Sequence, residues 1–282
     1  MNKIKITKMH GCGNDFVVIE KDELKKTGLS MAEFAKKVCD RHFGVGADGV
    51  LIPDFEIKDE ADIGWHYLNS DGTTAQMCGN GMRCFAKYVT DKKYITKQSF
   101  SVKTGAGIIK PEVLNDNRIK VNMSSPVLVP EKIPVLTEHN LNQTLSANGK
   151  EFVFNAVSMG NPHCVIITNE DVYELAKNYG PSIESHPIFP EKTNVEFISI
   201  KSRTEIDFCV YERGCGITLA CGTGACASVV AAVLNNLTDS IVKVNLLGGT
   251  LTVDWSEHSQ GISENIYLIG GADYVFEAEY IL

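Results

Sequence analysis

The sequence predicts an α+β protein built from two related halves, in which short strands outnumber helices. Two short motifs recur in the same order at nearly the same separation. Much of the remaining chain reads as short apolar, β-branched runs bounded by turn residues, and only a few segments carry the apolar spacing of a helix.

The later motif is the clearer one. Cys78-Gly79-Asn80-Gly81 opens a segment with apolar Met82, Phe85, Ala86 and Val89, spaced i, i+3, i+4 and i+7 as on one helix face. Cys221-Gly222-Thr223-Gly224 stands 143 residues further on and opens the run 225–234, apolar on nearly every face, which suits a helix buried all round. The earlier motif, Gly13-Asn14-Asp15-Phe16-Val17, recurs 147 residues later as Gly160-Asn161-Pro162-His163-Cys164. Strands are expected at 16–20, 100–103, 118–123, 152–157, 165–168, 195–200, 206–211, 242–246, 250–254 and 274–280. Amphipathic helices are expected at 30–39 and 171–179, with Ser30 and either Asn169 or Asp171 as N-caps. Ser124-Ser125-Pro126 and Pro130 interrupt the strand pattern and mark the linker between halves.

Composition narrows the function. With 27 basic against 35 acidic residues the formal net charge is −8, which argues against a nucleic-acid partner, since neutralising phosphates needs clustered Lys and Arg. Lys3, Lys5 and Lys8 interrupt the apolar residues of the start, unlike a secretory signal. The longest apolar run is about half of the roughly 20 residues that a membrane span needs. A cytoplasmic protein without a membrane partner is expected. Nine cysteines form an odd set, better read as reduced thiols than as a disulfide framework. No C-x-x-C pair or zinc-like His/Cys spacing occurs, so no metal is expected.

The two Cys-Gly-x-Gly turns point to acid–base chemistry. Glycines after a cysteine let the backbone turn tightly and bring its N–H groups close to an anion. At a helix start, those unpaired N–H groups and the positive end of the helix dipole favour both a thiolate and a docked carboxylate. One such turn alone would read as a buried helix start with cysteine chosen for size. A duplicated pair suits stereoinversion: one group takes a proton from one face of an α-carbon while the other delivers one to the opposite face. Neither turn continues into the G-K-[ST] of a phosphate-binding loop.

The segments 9–16 (MHGCGNDF), 41–49 (RHFGVGADG), 69–72 (NSDG), 77–83 (MCGNGMR), 160–163 (GNPH), 211–214 (YERG) and 218–224 (TLACGTG) closely resemble the diaminopimelate epimerase family, over nearly the whole chain. The resemblance implies a PLP-independent interconversion of LL- and meso-diaminopimelate in lysine and peptidoglycan-precursor synthesis, by a homodimer with no cofactor. It implies two pseudo-symmetric domains, 1–122 plus 267–282 and 123–266, each a β-barrel-like sheet wrapped around a central helix, with the active site in the interdomain cleft. Carried over by motif, Cys78 and Cys221 are the base and acid, and Gly79-Asn80 and Gly222-Thr223 hold the reacting carboxylate. Asn14, Asn69, Asn161, Asn194, Glu212 and Arg213 fix the remaining substrate groups, and His163 and Glu212 tune the cysteines. Arg213 suits a carboxylate because its planar fork matches two hydrogen bonds. Cys12, Cys84, Cys215 and Cys226 read as bystanders.

At Gly49 some relatives carry a glutamine that reaches the substrate, so that side-chain contact is absent here. The rival readings are a proline- or hydroxyproline-type racemase, a phenazine-pathway-type isomerase of the same fold, and a non-catalytic small-molecule binder. Retention of both turn cysteines and the Glu212-Arg213 pair favours an epimerase acting on a long substrate with a second charged end.

Overall fold

The computed structural model describes residues 3–57 and 60–282. They fall into two compact units, Met1–Val121 with Gly270–Leu282 and Asn122–Ile269.

In the first unit β1 (Lys3–Gly11) and β2 (Asn14–Val18) form a hairpin, followed by helices α1 (Lys21–Lys25) and α2 (Met31–Cys39). A second hairpin, β3 (Gly49–Asp54) with β4 (Ile63–Asn69), enters parallel to β2. Helix α3 (Gly79–Asp91) then leads to a third hairpin, β5 (Val102–Thr104) with β6 (Gly107–Ile109), parallel to β4. A short pair, β7 (Glu112–Val113) and β8 (Ile119–Asn122), follows.

The second unit repeats the scheme. β9 (Gln143–Ala147) precedes the hairpin of β10 (Lys150–Ser158) and β11 (Pro162–Ile167), which α4 (Val172–Glu184) follows. The hairpin β12 (Asn194–Ser202) and β13 (Glu205–Glu212) enters parallel to β11, with β14 (Gly216–Ile217) beside β13. Helix α5 (Gly222–Leu234) leads to the hairpin β15 (Ile241–Leu246) and β16 (Gly249–Asp254), parallel to β13. A short α6 (Ser256–Ser259) and β17 (Tyr267–Gly270) complete it. The last strand, β18 (Asp273–Ile281), returns to the first unit and pairs antiparallel along β1. Each sheet follows an open path of strands, so the barrel-like arrangement is an unclosed sheet packed on its central helix.

Each sheet is covered on both faces, and strand alternation shows how. All of β3 is buried. Val50 and Ile52 face the cluster that includes Phe34, Ala35 and Val38 of α2, whereas Leu51 faces Gly81 of α3. A strand buried on both sides reads as a continuous apolar run, not an alternating one. Burying each such side chain contributes roughly 1.5–3 kcal/mol. Helix α5 is apolar all round, with every residue from Ala225 to Ala232 buried, and it packs on β10, β11, β12 and β16.

Helix α2 starts as expected at Ser30, whose Oγ accepts from the Glu33 N–H while the Glu33 carboxylate accepts from the Ser30 N–H at 2.9 Å, a complete capping box. Helix α4 starts at Asp171, whose carboxylate accepts from Tyr173 and Glu174 N–H, but runs to Glu184 instead of ending near 179. Pro181 lies inside it, at a cost of roughly 3 kcal/mol in a helix interior. Ile183 beyond the proline joins Leu175 and Ala176 in the core, and that packing carries the helix through. Among the described residues no helix is long and apolar enough to cross a membrane.

Replacing Ser30 with Ala removes half of the capping box and is expected to cost about 1 kcal/mol of stability. The midpoint of urea unfolding should fall with its slope unchanged; an unmoved midpoint would show that α2 is held by packing alone.

Candidate active site

Cys78 and Cys221 occupy the same structural position, the N-cap of a 13-residue helix, with extended backbone angles (φ −146°, ψ 120° and φ −126°, ψ 108°). The Cys78 sulfur accepts the Gly81 N–H at 3.4 Å, whereas the Cys221 side chain makes no such cap bond. The glycines therefore leave amide donors of each first turn open to a ligand.

Around Cys78 the side chains are held by charge. Its Sγ lies 3.6 Å from Asn14 Oδ1, which also accepts from Asn80 Nδ2 at 3.2 Å. Asn14 Nδ2 donates to Asp48 at 2.6 Å, fixing the amide's orientation. Asp48 is gripped by Arg41 at 2.8 Å, and Arg41 also binds Asp15, which pairs with the buried Lys8 at 2.6 Å. Burial alone would raise the Asp15 carboxyl; the Arg41 and Lys8 cations outweigh it and hold the group below the usual carboxylate range. The segment 41–49 thus serves to clamp Asn14. Asn69 joins a different feature: it ends β4 opposite Gly49, and its Nδ2 donates to Thr73 at 3.0 Å.

Two residues of this half are new. The buried Tyr67 phenol lies close to Cys78, and burial, followed by the neighbouring charge of Cys78, pushes it well up. Gly49 makes room for that ring: a Cβ there would stand 2.6 Å from the Leu68 carbonyl oxygen and 2.8 Å from Tyr67 Cε2. The missing side chain at 49 is therefore a steric requirement of this strand pair.

Around Cys221 the groups form a chain. Cys221 Sγ lies 3.5 Å from Thr223 Oγ1, which accepts from Asn161 Nδ2 at 3.4 Å. Asn161 Oδ1 lies 3.0 Å from His163 Nε2, and His163 Nδ1 lies 2.7 Å from Glu196 Oε1. His163 and Glu196 are both wholly buried. Burial, then the carboxylates of Glu212 and Glu196, push the Cys221 thiol well up. Asn194 holds the backbone, donating to the Pro162 carbonyl at 2.8 Å and accepting the Arg213 N–H at 3.0 Å. Glu212 accepts from the Thr218 hydroxyl, and the exposed Arg213 donates to the Glu191 carbonyl at 3.0 Å.

In the first unit Cys78, Asn14 and Asn80 come together; in the second Cys221, Thr223, Asn161 and His163 do. Glu196 was legible as a lone carboxylate within the apolar run 195–198, whereas Tyr67 lies on a strand whose pattern gave no signal. Of the other cysteines, Cys39, Cys84, Cys164, Cys209 and Cys226 are buried packing groups, the last with its thiol pushed up to about 12 by burial, whereas Cys12 is half-buried and Cys215 exposed. Among the described residues no cluster of three or more His, Cys, Asp or Glu could hold a metal ion.

The diaminopimelate epimerase family model matches residues 6–129 and 155–275. The chain belongs to that family. A diaminopimelate epimerase from Carboxydothermus hydrogenoformans is 46% identical over 99% of this chain and 100% of its own. In fold the chain also resembles a PhzF-family phenazine biosynthesis protein from Bacillus anthracis, with TM-score 0.72, 17% identity and 100% of both chains covered. A hydroxyproline epimerase from Agrobacterium vitis gives TM-score 0.68 at 14% identity, over 99% of this chain and 93% of that one.

Two outcomes are expected. Gly49→Ala forces its Cβ against backbone and should cost about 1–3 kcal/mol, read as a lowered melting temperature. Alkylation of Cys221 by iodoacetamide, followed by peptide mass spectrometry, should rise only at pH above the ordinary thiol range of about 8.5, because the reactive thiolate forms late. Half-maximal modification near neutral pH would contradict that environment.

Proposed function

We propose that Cys78 and Cys221 invert the α-carbon of diaminopimelate, each serving as thiolate base toward one epimer and as thiol acid toward the other. The observation that carries this is the matched pair of N-cap cysteines at corresponding points of a duplicated fold, each followed by glycines. The activity that follows from family membership is that of an isomerase, a diaminopimelate epimerase interconverting the LL and meso forms in lysine and peptidoglycan-precursor synthesis.

The substrate carboxylate docks on the amides of Gly79-Asn80 and Gly222-Thr223, where helix dipoles stabilise the charge that builds as the α-proton leaves. Without such donors the carbanion would be the costly point of the reaction, so these amides take the part a bound electron sink plays elsewhere. Asn14, Asn69, Asn161 and Asn194 orient the polar groups of the substrate. Glu212 takes an ammonium, and Arg213 takes a carboxylate through its planar guanidinium. His163 and Glu212 adjust the cysteines. The raised Cys221 thiol fits the proton-donating member of the pair before turnover. The enzyme acts in the cytoplasm as a homodimer, without PLP or metal.

Reduced protein incubated with LL-diaminopimelate in deuterium oxide, without added cofactor, should lose the α-proton signal as the meso isomer forms. Cys78→Ala and Cys221→Ala should each lower turnover by at least about 10²–10⁴ with the fold retained. Turnover like that of the unsubstituted chain in either variant removes that cysteine from the mechanism. Exchange of hydroxyproline instead of diaminopimelate would support the racemase reading.

A further inference from the structure

The buried Glu196 lies outside the groups assigned so far, yet it starts the hydrogen-bond chain that ends at Cys221. It lies on the β12 face turned toward α5, directly behind the Cys221 turn. A Cβ at Gly224 would come within 2.7 Å of Glu196 Oε1 and 3.3 Å of Cys221 Sγ, so only glycine leaves room for both.

Proton counting gives the chain a direction. Asn161 Nδ2 donates to Thr223 Oγ1, so Asn161 Oδ1 accepts, and the proton between it and His163 belongs to Nε2. The 2.7 Å contact between His163 Nδ1 and Glu196 Oε1 also holds a proton. The pair is then an imidazolium beside a carboxylate or an imidazole beside a carboxylic acid, and in both cases it is electrically neutral. Neutrality matters because an unpaired charge at this depth would cost several kcal/mol. Burial raises the Glu196 carboxyl while the facing His163 opposes that rise, as expected of a shared proton. Since Thr223 Oγ1 already accepts from Asn161, its own proton is free to point at Cys221 Sγ. From His163 Nε2 onward every donor along the chain therefore points toward the sulfur, whichever form the pair takes.

We propose that Glu196 is a positioning residue for Cys221: through His163, Asn161 and Thr223 it aims a hydroxyl donor at the sulfur and steadies the thiolate formed during turnover. This rests on the reading that Cys221 is one of the two acid–base thiols. The other titratable groups around Glu196 are Cys164 on the neighbouring β11, Glu212 on β13 and Cys221 at the start of α5.

The test compares the unsubstituted chain with Glu196→Gln and Glu196→Val. A glutamine amide can still donate to His163 Nδ1 and preserve the Nε2–H tautomer; valine cannot. Glu196→Val should lower kcat by more than about tenfold with KM little changed, and Glu196→Gln should recover much of that loss. Histidine-labelled ¹⁵N NMR should show His163 protonated at Nε2 in the unsubstituted chain and in Glu196→Gln. Equal kcat in all three proteins, or a switch of His163 to the Nδ1–H tautomer in Glu196→Gln, overturns the proposal. Should the valine variant not fold, the tautomer in the glutamine variant decides. An unsubstituted chain that exchanges no diaminopimelate would defeat the epimerase reading, while the tautomer still reports on the chain of hydrogen bonds.

Discussion

A helix buried all round leaves its first-turn N–H groups and the positive end of its dipole without water, and something in the fold must satisfy them. Helices α3 and α5 both place a cysteine at the N-cap followed by glycines that leave first-turn amides open; the Cys78 sulfur takes one amide, and that of Cys221 takes none. A serine or aspartate would cap more strongly. The weaker sulfur acceptor leaves an electropositive turn that favours a substrate carboxylate and a thiolate alike. Burial of α3 and α5 in turn explains the sheets on which they pack, whose central strands are apolar on both faces.

The two units reach similar backbone geometry with different electrostatics. Cys78 is half-buried and flanked by amides and a phenol that a charged clamp of Lys8, Asp15, Arg41 and Asp48 supports. Cys221 is buried beside a neutral histidine–carboxyl pair, with Glu212 nearby. A thiol poised as the acid gains from surroundings that disfavour its anion, as those of Cys221 do. Reversible inversion also needs that anion to be reachable, which is the part a directed hydroxyl donor plays. On the proposed mechanism, duplication supplies the symmetry of the reaction, and divergence of the surrounding side chains supplies its two ends.

How much of this the sequence revealed follows from what each signal measures. The cysteine turns, their duplication and the helices at Ser30 and Asp171 were legible because caps and periodicity are local. Strand β1 alternates exposed and buried only over Lys3-Ile4-Lys5-Ile6, and beyond it the polar Thr7 and Lys8 are buried as well, so its period was not legible. The extent of α4 was hidden by Pro181, whose local cost is outweighed by contacts with strands that follow it by tens of residues. Asn14 and His163 were legible as motif members, but their partners Asp48 and Glu196 become partners only when parallel strands bring distant segments side by side.

The glycines show how tightly such partners are coupled. At 49 and 224 the backbone itself needs no unusual conformation, yet neither site admits a Cβ: the Leu68 carbonyl oxygen and the Tyr67 ring fill the space at one, the Glu196 carboxylate and the Cys221 sulfur at the other. A glycine of this kind is specified by its neighbour's reach, so the two positions must change together. In this chain the Leu68 carbonyl and the Tyr67 ring together take the space beside position 49 and leave no place for a side chain there.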